Sequence, residues 1–174
     1  MALKKRKKVP KVQIQGKTTP SEVLKIAEEK GVETKPLDVH SLAKALSLRV
    51  EYKVLQDDVS GMLKSIGDSW VVIVNSLHHK NRQRFTIAHE IAHFLLHRNC
   101  AEEFVDKAFF RSDDGVGGLE AQANQFAAKL LMPREEFVNY VKQKSDSLKD
   151  VAEEFGVSTA AVKVRADSIR QGEG

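Results

Sequence analysis

Apolar residues recur at helical spacing near the start of the chain, where two short helices are predicted. The first runs from Thr19-Pro20 through Glu29 and ends at Gly31, with proline in the first turn and glycine after the last. The second covers about residues 38–47, and its apolar side is formed by Val39, Leu42, Ala43 and Leu46.

The pattern then changes to alternating or continuous apolar runs, which predict β-strands at about residues 48–55, 60–66 and 69–75. Gly67-Asp68 separates the last two strands and suits a two-residue hairpin turn. We therefore expect a small antiparallel sheet beside the helix that follows. Residues 60–65 are the candidate outer edge strand, which either only closes the sheet or holds an extended peptide as an added strand.

Residues 84–97, RFTIAHEIAHFLLH, have a strongly helical pattern. Asn81 is a candidate N-cap, so the helix is expected from about Arg82 to His97. Apolar residues surround it, as is typical of a buried helix: Ile87, Ala88, Ile91, Phe94, Leu95 and Leu96.

This helix carries an H-E-x-x-H motif, His89-Glu90-x-x-His93. Two histidines four residues apart lie on one helix face, so their imidazoles can bind one zinc ion. Glu90 then projects beside the open position of the metal, where it can take a proton from a water whose pKa zinc lowers to about 7. The alternative, core histidines or a chance match, leaves ionisable groups unsatisfied on an apolar helix and is disfavoured.

A catalytic zinc site needs a third protein ligand, and Glu120 is the best candidate. It opens a second helical segment, residues 120–133, which is stopped by Pro133. A carboxylate at the start of this helix can reach the two imidazoles. The face that begins with Glu120 contains small residues that would let the helices pack closely, and its members are Ala123, Asn124, Ala127 and Leu131.

Other possible ligands are weaker. A third histidine one turn further on, His97, is too distant to complete a tetrahedron and more plausibly caps its helix or lies at the surface. His78 and His79 fall in a polar loop and are treated as solvated. Cys100 is the only cysteine, and it is interpreted as an unpaired thiol in a reducing compartment.

The chain resembles the ImmA/IrrE family of metallo-endopeptidases. Two blocks carry the resemblance, residues 84–97 and Glu120-x-x-Ala123-Asn124-x-Phe126-Ala127-Ala128-x-Leu130-Leu131-Met132-Pro133, and weaker similarity extends it over about residues 20–165. The resemblance implies a gluzincin-like zinc protease whose relatives cut a helix-turn-helix repressor and so derepress mobile-element or stress-response genes. It carries over His89, His93 and Glu120 as metal ligands and Glu90 as the catalytic base. Similar ligands also accept manganese.

The expected fold class is α+β, with a mostly helical, zincin-like catalytic domain over residues 19–145. The 174 residues of the chain and its 41% hydrophobic content suit one such domain with small appendages. No apolar run approaches a membrane span or a signal-peptide core. With one cysteine, the cytoplasm is the expected location.

The net charge of +4 comes from residues 1–17, which hold seven of the 28 basic residues and no acid, so that 21 bases face 24 acids in the rest. Such a run can grip nucleic acid or another polyanion, or imitate a nuclear address. Because no aromatic residue is interleaved to stack on bases, we interpret residues 1–18 as a solvated, disordered arm. The acidic, glycine-rich segment 112–118 is expected to be a mobile loop near the cleft.

Residues 146–174 have the pattern of a helix-turn-helix pair, with Gly156 at the turn and Ser158 as a cap. Residues 147–174 hold four bases against five acids, so docking on the core or on a partner is favoured over DNA binding. The main alternative function is a DNA-binding regulator with a structural zinc, in which Lys163, Arg165, Arg170 and the arm contact phosphate. Another is a repressor-binding protein or toxin-antitoxin component that does not cut.

The primary hypothesis is peptide-bond hydrolysis with Glu90 as base and then as proton donor to the leaving amine. A further donor should stabilise the oxyanion. Tyr140, Arg84, His97 and His79 are equivalent candidates for that role.

Overall fold

A computed structural model gives the fold of residues 18–107 and 116–172. The class is α+β, as predicted. The helices are α1 (Pro20–Glu29), α2 (Val39–Ala45), α3 (Lys80–His97), α4 (Val116–Leu131), α5 (Arg134–Gln143), α6 (Leu148–Phe155) and α7 (Thr159–Arg170). The strands are β1 (Leu48–Lys53), β2 (Val59–Ile66), β3 (Ser69–Asn75) and β4 (Glu103–Lys107).

The four strands form one mixed sheet in the order β1-β3-β2-β4. β2 is antiparallel to both of its neighbours, and the predicted hairpin turn joins β2 to β3 with Gly67 at φ +60°. β1, however, runs parallel to β3, so the sheet is not wholly antiparallel.

The prediction that residues 60–65 form the outer edge is wrong. They belong to β2, which lies between β3 and β4. β4 was not predicted because its alternation is short, but the side chain of Phe104 is buried and holds this strand against the rest of the structure.

α3 lies against the sheet and approaches β2 closely at Gly61. A Cβ at this position would lie 2.5 Å from Thr86 Cγ2 and 2.7 Å from the Ile73 carbonyl oxygen. Neither distance is compatible with a side chain, so glycine is required here by packing. On the other side of α3, the fully buried Ala123 and Ala127 of α4 agree with the close helix packing expected from small residues.

The start of α3 differs from the prediction. The helix begins at Lys80, and its N-cap is His79, whose Nδ1 accepts a hydrogen bond from the Asn81 backbone N–H at 3.2 Å. The Asn81 side chain instead donates to the Val157 carbonyl oxygen at 2.9 Å. This bond links the start of α3 to the turn between α6 and α7.

α6 and α7 are joined at Gly156, which adopts φ +61°, and Ser158 caps α7 by accepting from the Ala161 N–H. Apolar side chains hold the pair against the core: Val151, Ala152, Phe155, Val157 and Val162. Arg165 is 1% exposed, and its Nε donates to the Met132 carbonyl oxygen at 3.0 Å. The helix-turn-helix interpretation of the pair stays a prediction.

Two other predicted features fall outside the described residues. Residues 1–17 of the basic arm are one, and residues 112–115 of the glycine-rich segment are the other; Thr18, the last residue of the predicted arm, is buried. Residues 116–118 of that segment belong to α4 rather than to a loop. Residues 18–107 and 116–172 contain no helix that is both long and apolar enough to cross a membrane.

Candidate metal centre

Two histidines of the motif meet at the centre of α3. His89 and His93 are fully buried, and their ring centroids lie 4.7 Å apart. Their Nε2 atoms are 3.0 Å apart, as expected for side chains one helical turn apart on the same face. The two nitrogens therefore point at the same small volume.

Glu120 of α4 completes this cluster. Its Oε2 lies 3.1 Å from His89 Nε2, and its Oε1 lies 3.1 Å from His93 Nε2. Its side chain is 23% exposed, which places it on the open side of the cluster. Because α4 begins at Val116, Glu120 is one turn inside the helix rather than at its start.

The outer nitrogens of both rings also have partners. His89 Nδ1 lies 2.9 Å from Asn124 Oδ1, and His93 Nδ1 lies 3.0 Å from His97 Nδ1. His97 Nε2 in turn lies 3.1 Å from Gln122 Oε1.

The interpretation of His97 as a helix cap or surface residue is therefore wrong. It is buried behind His93, in the shell that supports the cluster. The sequence contained a signal for this role, because His97 continues the four-residue spacing of the two motif histidines.

Glu90 is fully buried beside the cluster, and among the described residues neither of its carboxylate oxygens has a hydrogen-bond partner. Gly61 borders it, and a Cβ there would lie 3.6 Å from Glu90 Oε1. A buried carboxylate without partners costs folding free energy, which sets Glu90 apart from the bonded side chains of the cluster.

Asp106 of β4 stands near the same group. One ligand atom from each of His89, Glu90 and Asp106 lies within 4.8 Å of the others. Sequence analysis missed this aspartate because β4 was not recognised. The signal was its position two residues after Phe104, on the same face of a short strand.

The pKa values of Glu90 and Glu120 are shifted in opposite directions. Burial raises the pKa of Glu90 to about 8, helped by the charges of Asp106 and Glu120 and opposed by His89. Burial also acts to raise the pKa of Glu120, but hydrogen bonds from His89 and His93 lower it to about 2. Glu120 is therefore suited to a permanently charged ligand, and Glu90 to holding a proton.

The histidines differ as well. Burial acts to lower the pKa of His89, but its hydrogen bond to Glu120 and the charges of Glu90 and Asp106 raise it to about 9. Burial lowers the pKa of His93. A cluster that holds a cationic imidazole between carboxylates is an environment that favours positive charge.

The residues fit a divalent metal ion. Two imidazole nitrogens and one carboxylate converge at 3.0–3.1 Å, which is the donor set of a catalytic zinc site with three protein ligands. Glu90 lies at the border of this set without a hydrogen-bond partner among the described residues.

The candidate oxyanion donors other than His97 have different partners. Tyr140 packs against Phe155, and its hydroxyl lies 3.5 Å from the Asp150 carbonyl oxygen. Arg84 donates to the Leu37 carbonyl oxygen, and His79 caps α3. These contacts place none of the three against Glu90 or Glu120.

The remaining rival ligands are also separate from the cluster. His78 is half-buried, and its Nε2 lies 3.4 Å from Asn75 Nδ2. Cys100 is exposed and free, in agreement with its interpretation as an unpaired thiol.

A family model described as the IrrE N-terminal-like domain, Peptidase M78, matches residues 28–167. A solved structure, a Mycobacterium tuberculosis transcriptional regulator, is similar with a TM-score of 0.60 and 20% sequence identity. The similarity covers 86% of this chain and 46% of that one, so the chain spans about half the length of the regulator. At this identity the likeness supports the fold alone. A comparison with curated proteins finds no match.

Proposed function

Because the chain belongs to the IrrE N-terminal-like, Peptidase M78 family, we propose that it is a zinc-dependent endopeptidase. Membership supports a role as a metallopeptidase. The observation that carries the proposal is the convergence of His89, His93 and Glu120 beside Glu90, a buried carboxylate whose oxygens have no partner among the described residues. The three converging residues are the proposed zinc ligands, and manganese is the alternative ion.

When bound, zinc supplies a Lewis acid that polarises the scissile carbonyl group and lowers the pKa of water. Glu90 is the proposed general base. Its carboxylate accepts the proton of the attacking water and then delivers it to the leaving amine. The raised pKa of Glu90 suits this task, since the group must hold the proton between the two steps.

A helix-turn-helix transcriptional repressor is the proposed substrate. This proposal rests on the resemblance of residues 84–97 and 120–133 to the ImmA/IrrE family. Cleavage of the repressor would derepress mobile-element or stress-response genes. The name of the similar solved structure, a transcriptional regulator, agrees with a role in gene control.

One observation disfavours the DNA-binding alternative. That alternative assigns phosphate contacts to Arg165, but this side chain is buried against Met132. Lys163 and Arg170 are exposed, so two of the three assigned bases of α7 remain for phosphate contacts, while the basic arm lies outside the described residues.

The metal site is tested by measuring bound metal with mass spectrometry in the native protein, His89→Ala and Glu120→Ala. We expect one zinc per chain in the native protein and a sharp loss in both variants. Cys100→Ala is the matched control and should keep its metal, because Cys100 is exposed and free. Metal retained in Glu120→Ala would remove the third ligand.

The reaction is tested by incubating the metal-loaded protein with helix-turn-helix repressors from the same genome, beginning with any that a neighbouring gene encodes. Mass spectrometry should detect two product peptides whose masses sum to the substrate plus one water. Glu90→Gln should bind the same amount of zinc and reduce the rate by about 10²–10⁴-fold. Native-rate cleavage by this variant would contradict the assigned base, and tight repressor binding without cleavage would favour a non-catalytic regulator.

A further inference from the structure

We propose that His97 and Gln122 are positioning residues that fix the tautomer of the metal ligand His93. The inference rests on the proposed function, since it assumes that His93 binds metal through Nε2. It extends that function to two residues outside the ligand set, which act through hydrogen bonds rather than by touching the metal.

The three side chains form one continuous chain of hydrogen bonds. His93 Nδ1 lies 3.0 Å from His97 Nδ1, and His97 Nε2 lies 3.1 Å from Gln122 Oε1. Both histidines are buried, so water does not compete freely for these nitrogens. Each ring must then satisfy its outer nitrogen within the protein.

Gln122, the acceptor at the end of this series of hydrogen bonds, sets the direction of both bonds. Gln122 Oε1 can only accept, so His97 Nε2 carries the hydrogen and donates it. A neutral imidazole has one N–H, which leaves His97 Nδ1 as an acceptor. When a metal occupies the site, His93 Nδ1 is therefore the donor, and the lone pair of His93 lies on Nε2, the atom that faces Glu120.

The opposite direction would be incompatible with a metal at His93. If residue 122 donated to His97 Nε2, His97 would carry its hydrogen on Nδ1 and donate it to His93. His93 would then hold its own hydrogen on Nε2, between the ring and the metal. With Oε1 toward His97, Gln122 therefore supports the metal-binding tautomer of His93 through one intervening ring.

Phe104 of β4 holds the plane of the same ring. Its centroid lies 4.6 Å from that of His93, with an angle of 22° between the planes. The stack fixes the tilt of the imidazole, and His97 fixes its rotation about the ring axis. Together they hold Nε2 toward Glu120 before any ion arrives.

Position 122 is well suited to a test because it is exposed on α4, so substitutions there should not unfold the protein. Gln122→Glu keeps an acceptor and cannot donate, whereas Gln122→Lys keeps a donor and cannot accept. Gln125→Glu and Gln125→Lys, on the exposed surface of the same helix, introduce the same charges without a bond to His97 and are the matched controls.

The first measurement is the zinc dissociation constant, obtained by competition with a chromophoric chelator. We expect Gln122→Lys to weaken binding about 10- to 100-fold relative to Gln125→Lys, the range typical of lost partners behind a ligand. Gln122→Glu should bind zinc at least as tightly as Gln125→Glu. Equal affinities for the two lysine variants would overturn the proposal.

The second measurement is the tautomer of His97 by nitrogen-15 NMR of the zinc-loaded native protein, with the hydrogen expected on Nε2. A hydrogen on Nδ1 in the zinc-loaded protein would also overturn the proposal. The proposed function fails separately: a protein that binds zinc but cuts no substrate leaves the role of His97 intact. If the native protein binds no zinc under any loading condition, the metal site fails and this proposal is overturned with it.

Discussion

The helix pair α3–α4 buries a polar cluster within its packing, whereas the pair α6–α7 is packed mainly through apolar side chains. α3 and α4 enclose His89, Glu90 and His93, which are ionisable and fully buried. α6 and α7 bury apolar side chains such as Val151, Phe155 and Val162. Burial stabilises the second pair directly, whereas in the first pair it opposes the charged forms and leaves Glu90 without a partner among the described residues.

The comparison distinguishes burial that stabilises the fold from burial that costs folding free energy. A buried polar cluster costs folding free energy, and such a cost is typical of sites where chemistry requires it. In the apolar pair, formed by α6 and α7, the buried charged side chain is Arg165, which donates to the Met132 carbonyl oxygen, and apolar packing explains the rest. A substitution in one of these pairs should therefore raise or lower the free energy of unfolding according to the pair in which it lies.

The largest effect is expected in the apolar pair. Phe155→Ala should lower the free energy of unfolding by about 3–5 kcal/mol, because a large buried side chain is removed. Urea denaturation measures the loss. Zinc affinity of the folded variant should stay within twofold of the native value, since Phe155 contacts Phe137 and Tyr140 rather than the cluster. A large loss of affinity would show that the two pairs are coupled.

In the polar pair, formed by α3 and α4, removing a buried side-chain group should increase the free energy of unfolding rather than lower it. Glu90→Met replaces a buried carboxylate that has no partner among the described residues with an apolar side chain of similar length. We expect the metal-free variant to gain about 1–3 kcal/mol in unfolding free energy while losing activity. Glu120→Met is the matched control and should not gain, because Glu120 is partly exposed and bonded to both histidines. Equal gains would mean that hydrogen bonding does not distinguish the two carboxylates.

Two glycines sharpen the comparison further. Gly156→Ala places a Cβ at φ +61° and 3.1 Å from Arg84 Nε, so it should destabilise by about 1–2 kcal/mol. Gly118→Ala in α4 meets nothing within 4 Å and should instead stabilise by about 0.5–1 kcal/mol. Thermal unfolding of both variants measures the difference. The same sign for both would contradict the role given to the turn between α6 and α7.

The smallest effect concerns a cap outside both pairs. Asp38 caps α2, and hydrogen bonds from the Ser41 side chain and backbone lower its pKa. A lowered pKa in the folded state gives stability that is present above the ordinary value of 3.8 and is lost as pH falls through the folded value. Native protein should therefore exceed Asp38→Asn slightly in melting temperature at pH 7, and the difference should vanish near pH 2. A difference that persists there would exclude the carboxylate charge as its cause.

Local pattern was sufficient to predict the helices that carry the cluster. The spacing of His89 and His93 follows from one helical turn, and the small face of α4 predicted the side from which Glu120 approaches. That Glu120 acts as a ligand remains a proposal that the geometry supports.

What could not be predicted depends on contacts between distant segments. The parallel pairing of β1 with β3 has no signature in either strand, and β4 reaches its place only through pairing with β2. The environment of His97 is set by Gln122, which lies on another helix. A histidine at the end of a helix otherwise resembles a cap, so its burial was missed.

Gly61 has a consequence for sequence variation. Every substitution there adds at least a Cβ, which would collide with the backbone oxygen of Ile73, an atom that cannot rotate away. Glycine is therefore required at this position because there is no space for a side chain, and not because residue 61 takes part in a reaction. A library of all twenty residues at position 61, sorted for zinc binding, should return glycine, although glycine is normally a poor residue for a β-strand.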